Sequence, residues 1–423
     1  MSVRYRTTTL LSPYTRRMSP STHEPLRIRL RQCSGLTALP HGFYGDAALH
    51  SVDLDFIWYR EWLFAGHECE VARAGDFLTI QVGKYPLVIV RDRDEAVRAF
   101  HNTCRHRGSR ICTEPHGNAP RLTCPYHGWT YRLDGSLLAA RDMGDAFSAT
   151  DFPLKPVHCA TMAGYVFVCV AAHAPDFEPL RRHAEAYLRP HQLREAKVAF
   201  ESTITLNANW KLVWENNREC YHCAANHPEL LRSFPDQPTL AGPSVNGNDP
   251  QLESHWSRWE ARGLPSRYTI ASNYQTRLLR LPLNEGATSL TMSGAPAVRQ
   301  PLSSIVGETD AGTLMLCSYP STWNHILADH AVTFRVLPLS PTQTQLTTKW
   351  LVHRDAVDGR DYELEALTAV WRATNAEDQR ICEENQLGAL SPAYEPGPYS
   401  PVHERGAMQF TEWYRATLEA RLR

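Results

Sequence analysis

The chain lacks most of what would set it apart from an ordinary globular protein. Its formal net charge is −1 over 423 residues, which argues against a broad basic footprint for nucleic acid or an anionic membrane surface. No apolar run approaches the roughly 20 residues of a membrane span. Internal repeats and low-complexity blocks are absent. No secretory signal peptide opens the sequence, and its 11 cysteines, an odd number, have none of the spacing of a small secreted scaffold. The expectation is a reducing, cytoplasmic setting in which cysteines serve as ligands or core residues.

Hydrophobic residues make up 43% and charged residues 21%, enough for a large core divided over two or three domains. The first 17 residues carry Arg4, Arg6, Arg16 and Arg17, many Ser and Thr, and no acid. An organelle transit peptide has that composition, as does a plain tail or a start over-extended ahead of Met18; the plain readings are preferred.

From 77 to 100, short β-branched runs alternate with turn residues such as Gly75-Asp76 and Asp92-Arg93-Asp94, which predicts antiparallel strands. The texture continues through 131–136 and ends in the apolar run 165–170. The segment 171–179 is the expected boundary. Beyond it, 200–206 alternates like a half-buried strand, and Asn209 is placed to cap a helix from Trp210. Strands are expected at 314–319, 331–337 and 345–352, then a long helix over about 362–387, with Gly388 as its stop. The C-terminal half therefore reads as α+β, an antiparallel sheet with a long packed helix. Domains are expected at 1–55 (a tail and helical segment packing on the C-terminal domain), 56–176 and 177–423.

Two constellations carry chemistry. Cys104-Arg105-His106 and Cys124-Pro125-Tyr126-His127 form C-x-H and C-x2-H boxes with 17 residues between them. Each offers one thiolate and one imidazole. Two thiolates on one iron and two imidazoles on the other is the Rieske arrangement of a [2Fe-2S] cluster. Gly108 and Gly128 follow the two histidines, where loops folding around a cluster need unusual backbone angles. Tetrahedral zinc would accept the same four donors, although zinc fingers usually pair Cys with Cys and His with His. Cys112, between the boxes, reads as a buried core cysteine.

The second constellation is Glu219-Cys220-Tyr221-His222-Cys223-Ala224-Ala225-Asn226-His227-Pro228. On a helix, Glu219 and His222 share a face, whereas His227 lies about 140° further round. It reaches the same metal only if the helix unwinds there, and Pro228 supplies a reason, because it pushes the preceding residue out of helical angles. Two histidines and a carboxylate make the facial triad of non-haem iron oxygenases. Cys220 and Cys223 could suggest a thiol redox pair, but no thioredoxin-like strand precedes them. For the carboxylate, Leu364, Leu367, Trp371, Thr374, Asp378 and Ile381 form one helical stripe, so Asp378 falls on an apolar face with no local cation. A buried carboxylate there needs a metal or a distant base, and an ion-paired core residue is the alternative. Glu377, with Arg380 three residues on, reads as solvated.

These boxes resemble those of the α subunits of Rieske non-haem iron oxygenases, over about residues 56–414. Cytochrome-complex Rieske proteins carry two further cysteines, where this chain has Ser109 and Tyr126. Residues 58–67, 215–230, 321–325, 374–388 and 394–400 are most similar to the branch acting on quaternary ammonium compounds. The resemblance implies an all-β Rieske domain followed by a helix-grip (START-like) catalytic domain. It implies Cys104, His106, Cys124 and His127 as cluster ligands, and His222, His227 and Asp378 as ligands of a mononuclear Fe(II). It further implies a homotrimer in which Glu219 bridges His127 of one subunit to His222 of the next. Ring-hydroxylating relatives usually carry Asp at that place, so Glu219 also stands as a rival third iron ligand. The implied activity is N-demethylation of a small betaine such as glycine betaine, with formaldehyde released and electrons fed by a separate NAD(P)H-dependent flavin/iron-sulfur reductase. A quaternary ammonium is held on aromatic faces, and Tyr319 and Trp323 are the candidates. An oxygenase of an aromatic ring or acid, and a Rieske electron carrier, are the competing readings; the second constellation argues against the carrier.

Overall fold

Two groups of β-branched and aromatic runs, separated in sequence by a helix, fold into two antiparallel sheets. The chain is seen in a computed structural model that describes residues 24–236, 250–303 and 311–422. The basic stretch at 1–17 lies outside the described residues.

The N-terminal sheet comprises β1 (Leu63–His67), β2 (Asp76–Val82), β3 (Tyr85–Arg91), β4 (Val97–His101), β5 (His116–Asn118), β9 (Pro156–Met162) and β10 (Tyr165–Cys169), in the order β1-β10-β9-β4-β3-β2-β5. A small sheet of β6 (Leu122–Thr123), β7 (Thr130–Tyr131) and β8 (Leu137–Ala139) stands beside it. The Cys104 box follows β4, and the Cys124 box joins β6 to β7. No strand or helix lies between Cys169 and α3 (Glu178–Leu188).

The C-terminal sheet is built of β11 (Ala196–Leu206), β12 (Thr269–Ile270), β13 (Thr276–Leu281), β14 (Thr313–Ser318), β15 (Thr322–Ile326), β16 (Ala331–Ser340) and β17 (Gln343–His353). Its order is β11-β17-β16-β15-β14-β13-β12, antiparallel throughout. The remaining helices are α1 (Glu24–Gln32), α2 (Ala47–Asp53), α4 (Trp210–Asn217), α5 (Cys223–Asn226), α6 (Pro250–Ala261), α7 (Leu364–Ala389) and α8 (Arg405–Arg421). The fold is thus α+β, as expected.

Both faces of the C-terminal sheet are buried. Leu278, Leu316, Ile326 and Leu351 pack with Phe64, Tyr165 and Phe167 of the N-terminal sheet. Asn324 Nδ2 donates to Tyr165 Oη at 2.5 Å, and Phe64 N donates to Ser321 Oγ at 2.8 Å, across the same contact. The opposite face, with Trp323, Phe334, Leu346 and Trp350, shares a core with α4, α7 and α8. Between helices and sheet lies the pocket described below. Asp53, at the end of α2, is fully buried against α4 and α8. It pairs with Lys211 Nζ and accepts from Trp210 Nε1 at 3.1 Å and Tyr414 Oη at 2.8 Å. Removing either charge would strand the other, at a cost of roughly 3–5 kcal/mol.

Asn209 caps α4 as its sequence suggests, its side chain accepting from Lys211 N at 2.9 Å. Two local expectations need correction. The long helix does not stop at Gly388; that residue stays helical and α7 ends at Ala389. The stop comes from Ser391-Pro392, since a residue before proline avoids helical angles. Glu219 and His222 do not share a continuous helix either. α4 ends at Asn217, residues 218–222 form a turn, and α5 is a single turn, after which His227 leaves at φ −122° and ψ 61°.

Candidate metal centres and substrate pocket

The two cysteine–histidine boxes fold into matching turns. Gly108 N donates to Cys104 O at 3.0 Å and Gly128 N to Cys124 O at 3.1 Å. Cys104 N reaches Ser109 O, and Cys124 N reaches Trp129 O, each at 2.8 Å. Both glycines hold left-handed angles, φ +83° and +73°, which a side chain would strain. The result places Cys104 and Cys124 inside, while His106 and His127 face out with their Nδ1 atoms 3.1 Å apart. His106 stacks on Trp129, and His127 on Tyr126. Tyr131 Oη sits 3.4 Å from Cys104 Sγ and accepts from Arg105 N at 3.0 Å. Burial raises the Cys104 thiol above its ordinary value, against hydrogen bonds from Tyr131 and the His106 backbone that lower it. Two buried sulfurs behind two outward imidazoles fit a cluster with one sulfur-bound iron inside and one histidine-bound iron at the surface. Cys112 is a free, buried cysteine.

The second centre assembles from the turn after α4 and from the middle of α7. His222 Nε2 lies 3.5 Å, and His227 Nε2 3.1 Å, from the same oxygen, Asp378 Oδ1. The other nitrogens are occupied by carboxylates. His222 Nδ1 is 2.5 Å from Glu219 Oε1, and His227 Nδ1 is 2.7 Å from Glu377 Oε2. With each Nδ1–H donating to its carboxylate, both Nε2 lone pairs face a carboxylate oxygen. That geometry is repulsive unless a proton or a cation sits between. Burial opposes protonation of His222, but Asp378 and Glu219 outweigh it and lift the pKa to about 9; burial likewise opposes protonation of His227, which Asp378 and Glu377 raise. Burial alone would raise the Asp378 carboxyl, yet the two histidines hold it down at about 2. Asn216 Nδ2 donates to Asp378 Oδ1 at 3.1 Å.

These donors fit a divalent iron held by two imidazoles and one carboxylate. Glu219 lies behind His222, on Nδ1, rather than among the converging atoms. Cys223 Sγ also falls with the two imidazoles, ligand atoms within 4.8 Å of one another. It is joined to Cys220 in a disulfide, however, which differs from the expectation that the cysteines serve only as ligands or core residues. The tight turn brings their Cα atoms to 4.9 Å, within disulfide reach without any thioredoxin-like strand.

A pocket opens from Asp378 and is walled by Trp323, Phe334, Trp371, Asn216 and Asn217. Trp323 stacks on Phe334 with centroids 5.0 Å apart, and Trp371 stands edge-on to Phe334 at 5.2 Å. Tyr319 is placed differently. Its ring packs among Trp214, Phe410 and Trp413, and its hydroxyl accepts from Arg218 Nε at 2.6 Å. Glu377, read as a solvated residue, turns toward His227 while Arg380 reaches Asn226 instead. Phe334 and Asn216 carry no sequence mark of their own, and Trp371 is marked only by its place on the stripe with Asp378; their position in the pocket wall identifies them.

Known proteins share both halves of the chain. Residues 61–153 match the Rieske [2Fe-2S] domain, and residues 177–420 match the ring hydroxylating alpha subunit (catalytic domain). The chain is 43% identical over 380 residues to the glycine betaine monooxygenase oxygenase subunit of Pseudomonas aeruginosa (strain UCBPP-PA14), covering 89% of this chain and 88% of that protein. It is 44% identical over 399 residues to the corresponding subunit of Chromohalobacter salexigens, covering 93% and 88%. Among solved structures, a quaternary ammonium Rieske monooxygenase in complex with L-carnitine superposes with a TM-score of 0.69 at 21% identity, covering 90% of this chain and 95% of that one. Naphthalene 1,2-dioxygenase from Rhodococcus sp. follows the same fold, with a TM-score of 0.66 at 20% identity and coverage of 94% and 99%.

Proposed function

The chain belongs to the Rieske non-haem iron oxygenase α-subunit family, and we propose that it hydroxylates an N-methyl group of a small betaine, glycine betaine foremost. The observation that carries this reading is the meeting of two features. His222, His227 and Asp378 converge on one point, and an aromatic wall of Trp323, Phe334 and Trp371 stands beside it. The names of the relatives point to the same substrate.

Iron bound by His222, His227 and Asp378, with electrons from a cluster held by Cys104, His106, Cys124 and His127, would supply dioxygen activation. The protein does the rest by position. Glu219 and Glu377 accept hydrogen bonds from Nδ1–H of His222 and His227, fixing both rings so that Nε2 would be presented to the metal. Asn216 orients Asp378 by its hydrogen bond. A quaternary ammonium has no N–H to donate, so the aromatic faces hold it through their quadrupoles. Buried walls keep water from the reacting methyl group.

One oxygen atom enters a methyl C–H bond, and the other leaves as water with two electrons and two protons. The resulting hemiaminal breaks its C–N bond to give formaldehyde and the demethylated amine. A separate NAD(P)H-dependent reductase supplies the electrons. In a trimer, Glu219 links His222 to His127 of the partner subunit. The test is dioxygen uptake by the reconstituted oxygenase with a surrogate reductase, over a panel of betaines, choline and aromatic acids. Uptake is expected with the betaines; uptake with aromatic acids alone would overturn the reading.

A further inference from the structure

Two arginines are buried side by side near the pocket, and neither is paired with an acid among the described residues. Arg218 and Arg277 are each 2% exposed. Arg218 is satisfied by neutral partners, donating from Nε to Tyr319 Oη at 2.6 Å and from Nη2 to Gln409 Oε1 at 2.9 Å. Arg277 has one weak contact, from Nη2 to Cys317 Sγ at 3.5 Å, and Arg218 Nη1 approaches the same sulfur at 3.8 Å. Arg277 Nε and Nη1 are buried with no acceptor, and neither arginine forms an ion pair among the described residues. Burial, and after it the neighbouring Arg218 charge, lower the Arg277 pKa, while Cys317, Tyr268 and Tyr319 act the other way. A guanidinium left unpaired in such a place is costly, and an anion that enters would relieve the cost.

The sheet register shows where that anion would come from. Arg277 pairs with Cys317, Cys317 with Trp323, and Trp323 with Phe334, across four neighbouring strands. These four residues therefore form one row on one face of the sheet, and Trp323 and Phe334 line the pocket beside Asp378. Two strand spacings, about 10 Å, separate the Arg277 and Trp323 backbones, a gap spanned by the arginine side chain and a short ligand. Asn217, also in the pocket wall, reaches Cys317 Sγ at 4.0 Å and connects the two regions.

Resting on the reading of the chain as a betaine oxygenase, we propose that Arg277, with Arg218 beside it, binds the substrate's carboxylate and so selects zwitterionic betaines over quaternary ammonium alcohols. A guanidinium offers two parallel N–H donors to a carboxylate. The same unneutralised charge repels a trimethylammonium that brings no anion, so the site both attracts one class and rejects the other.

The test compares kcat/KM for glycine betaine and for choline, which keeps the trimethylammonium and replaces the carboxylate with a neutral alcohol. The enzyme is the holoenzyme, loaded with cluster and iron. The parent should strongly favour glycine betaine. Arg277→Gln should lower that ratio by roughly 10- to 100-fold, mainly through the KM for glycine betaine. Arg277→Lys, which keeps the charge and loses the fork, should fall between. A folded, iron-loaded Arg277→Gln enzyme with the parent ratio would overturn the proposal. Should that variant not fold, anaerobic titration of the parent holoenzyme decides: equal dissociation constants for the two compounds reject the carboxylate site, and a large preference for glycine betaine supports it. If the parent binds and oxidises neither compound, the betaine-oxygenase reading fails, and the carboxylate site with it.

Discussion

His227 is gripped from both sides by consecutive residues of α7: Glu377 Oε2 is 2.7 Å from its Nδ1, and Asp378 Oδ1 is 3.1 Å from its Nε2. Neighbouring residues on a helix point about 100° apart, so they can meet one ring only if its edge is inserted between them. The break in helix before Pro228 makes that insertion possible.

Glu377 should therefore govern metal affinity without being a ligand. Glu377→Ala is expected to weaken iron binding by roughly 10- to 100-fold, as loss of a carboxylate behind a ligating histidine generally does. Iron content after dialysis against a graded chelator would show it, with the cluster absorbance as internal control. Unchanged iron retention would return Glu377 to a surface role.

Asp378 and Glu219 should part company on mutation. Asp378→Ala should lose the mononuclear iron and all turnover while the cluster spectrum survives. Glu219→Gln should keep both metals, since Glu219 sits behind His222, yet slow oxidation of the cluster in a single turnover. Full iron in Asp378→Ala, or a normal single turnover in Glu219→Gln, would reverse the assignment.

Metal binding should release protons. In the metal-free protein the His222 pKa is about 9, raised from 6.5 by Asp378 and Glu219 against burial. Its protonated form thus stabilises the metal-free fold fully below pH 6.5, and this contribution is lost as the pH rises through about 9. Iron needs the Nε2 lone pair, so near pH 7.5 binding displaces close to one proton from His222, and the affinity climbs until the pH passes about 9. Calorimetry in buffers of different ionisation enthalpy counts those protons; a count of zero would contradict the geometry.

Trp323→Leu keeps apolar bulk and removes the quadrupole, worth roughly 0.5–2 kcal/mol to a bound cation. The KM for glycine betaine should rise about 2- to 30-fold where it reports binding. Tyr319→Phe gives the contrast. Its hydroxyl accepts from Arg218 among packed rings, so its loss should lower the melting temperature more than it changes KM. The opposite pattern would move the ammonium site toward Tyr319.

Much of this was legible because metal chemistry restricts residue type and spacing. The two cysteine–histidine boxes, the His222–His227 pair and the apolar stripe bearing Asp378 each announce themselves in a single segment. The long sheet strands and the Asn209 cap follow from alternation and capping rules. What stayed hidden depends on contacts between distant segments. Glu377 looked solvated because Arg380 lies three residues on, yet Arg380 turns to Asn226. Trp371 appeared only as part of an apolar helical stripe, and its meeting with Phe334 beside Trp323 depends on the packing of α7 on the sheet. The turn at 218–222, which joins Cys220 to Cys223, replaced an expected helix because α4 ends at Asn217.

Single turnover of the reconstituted oxygenase with glycine betaine deuterated on all three methyl groups shows whether an N-methyl group is the site of oxidation. The expected products are dimethylglycine retaining two deuterated methyls and one dideuterated formaldehyde for each dioxygen consumed. Dioxygen consumed with the substrate recovered whole, or hydroxylation at the methylene instead, would contradict oxidation at an N-methyl group.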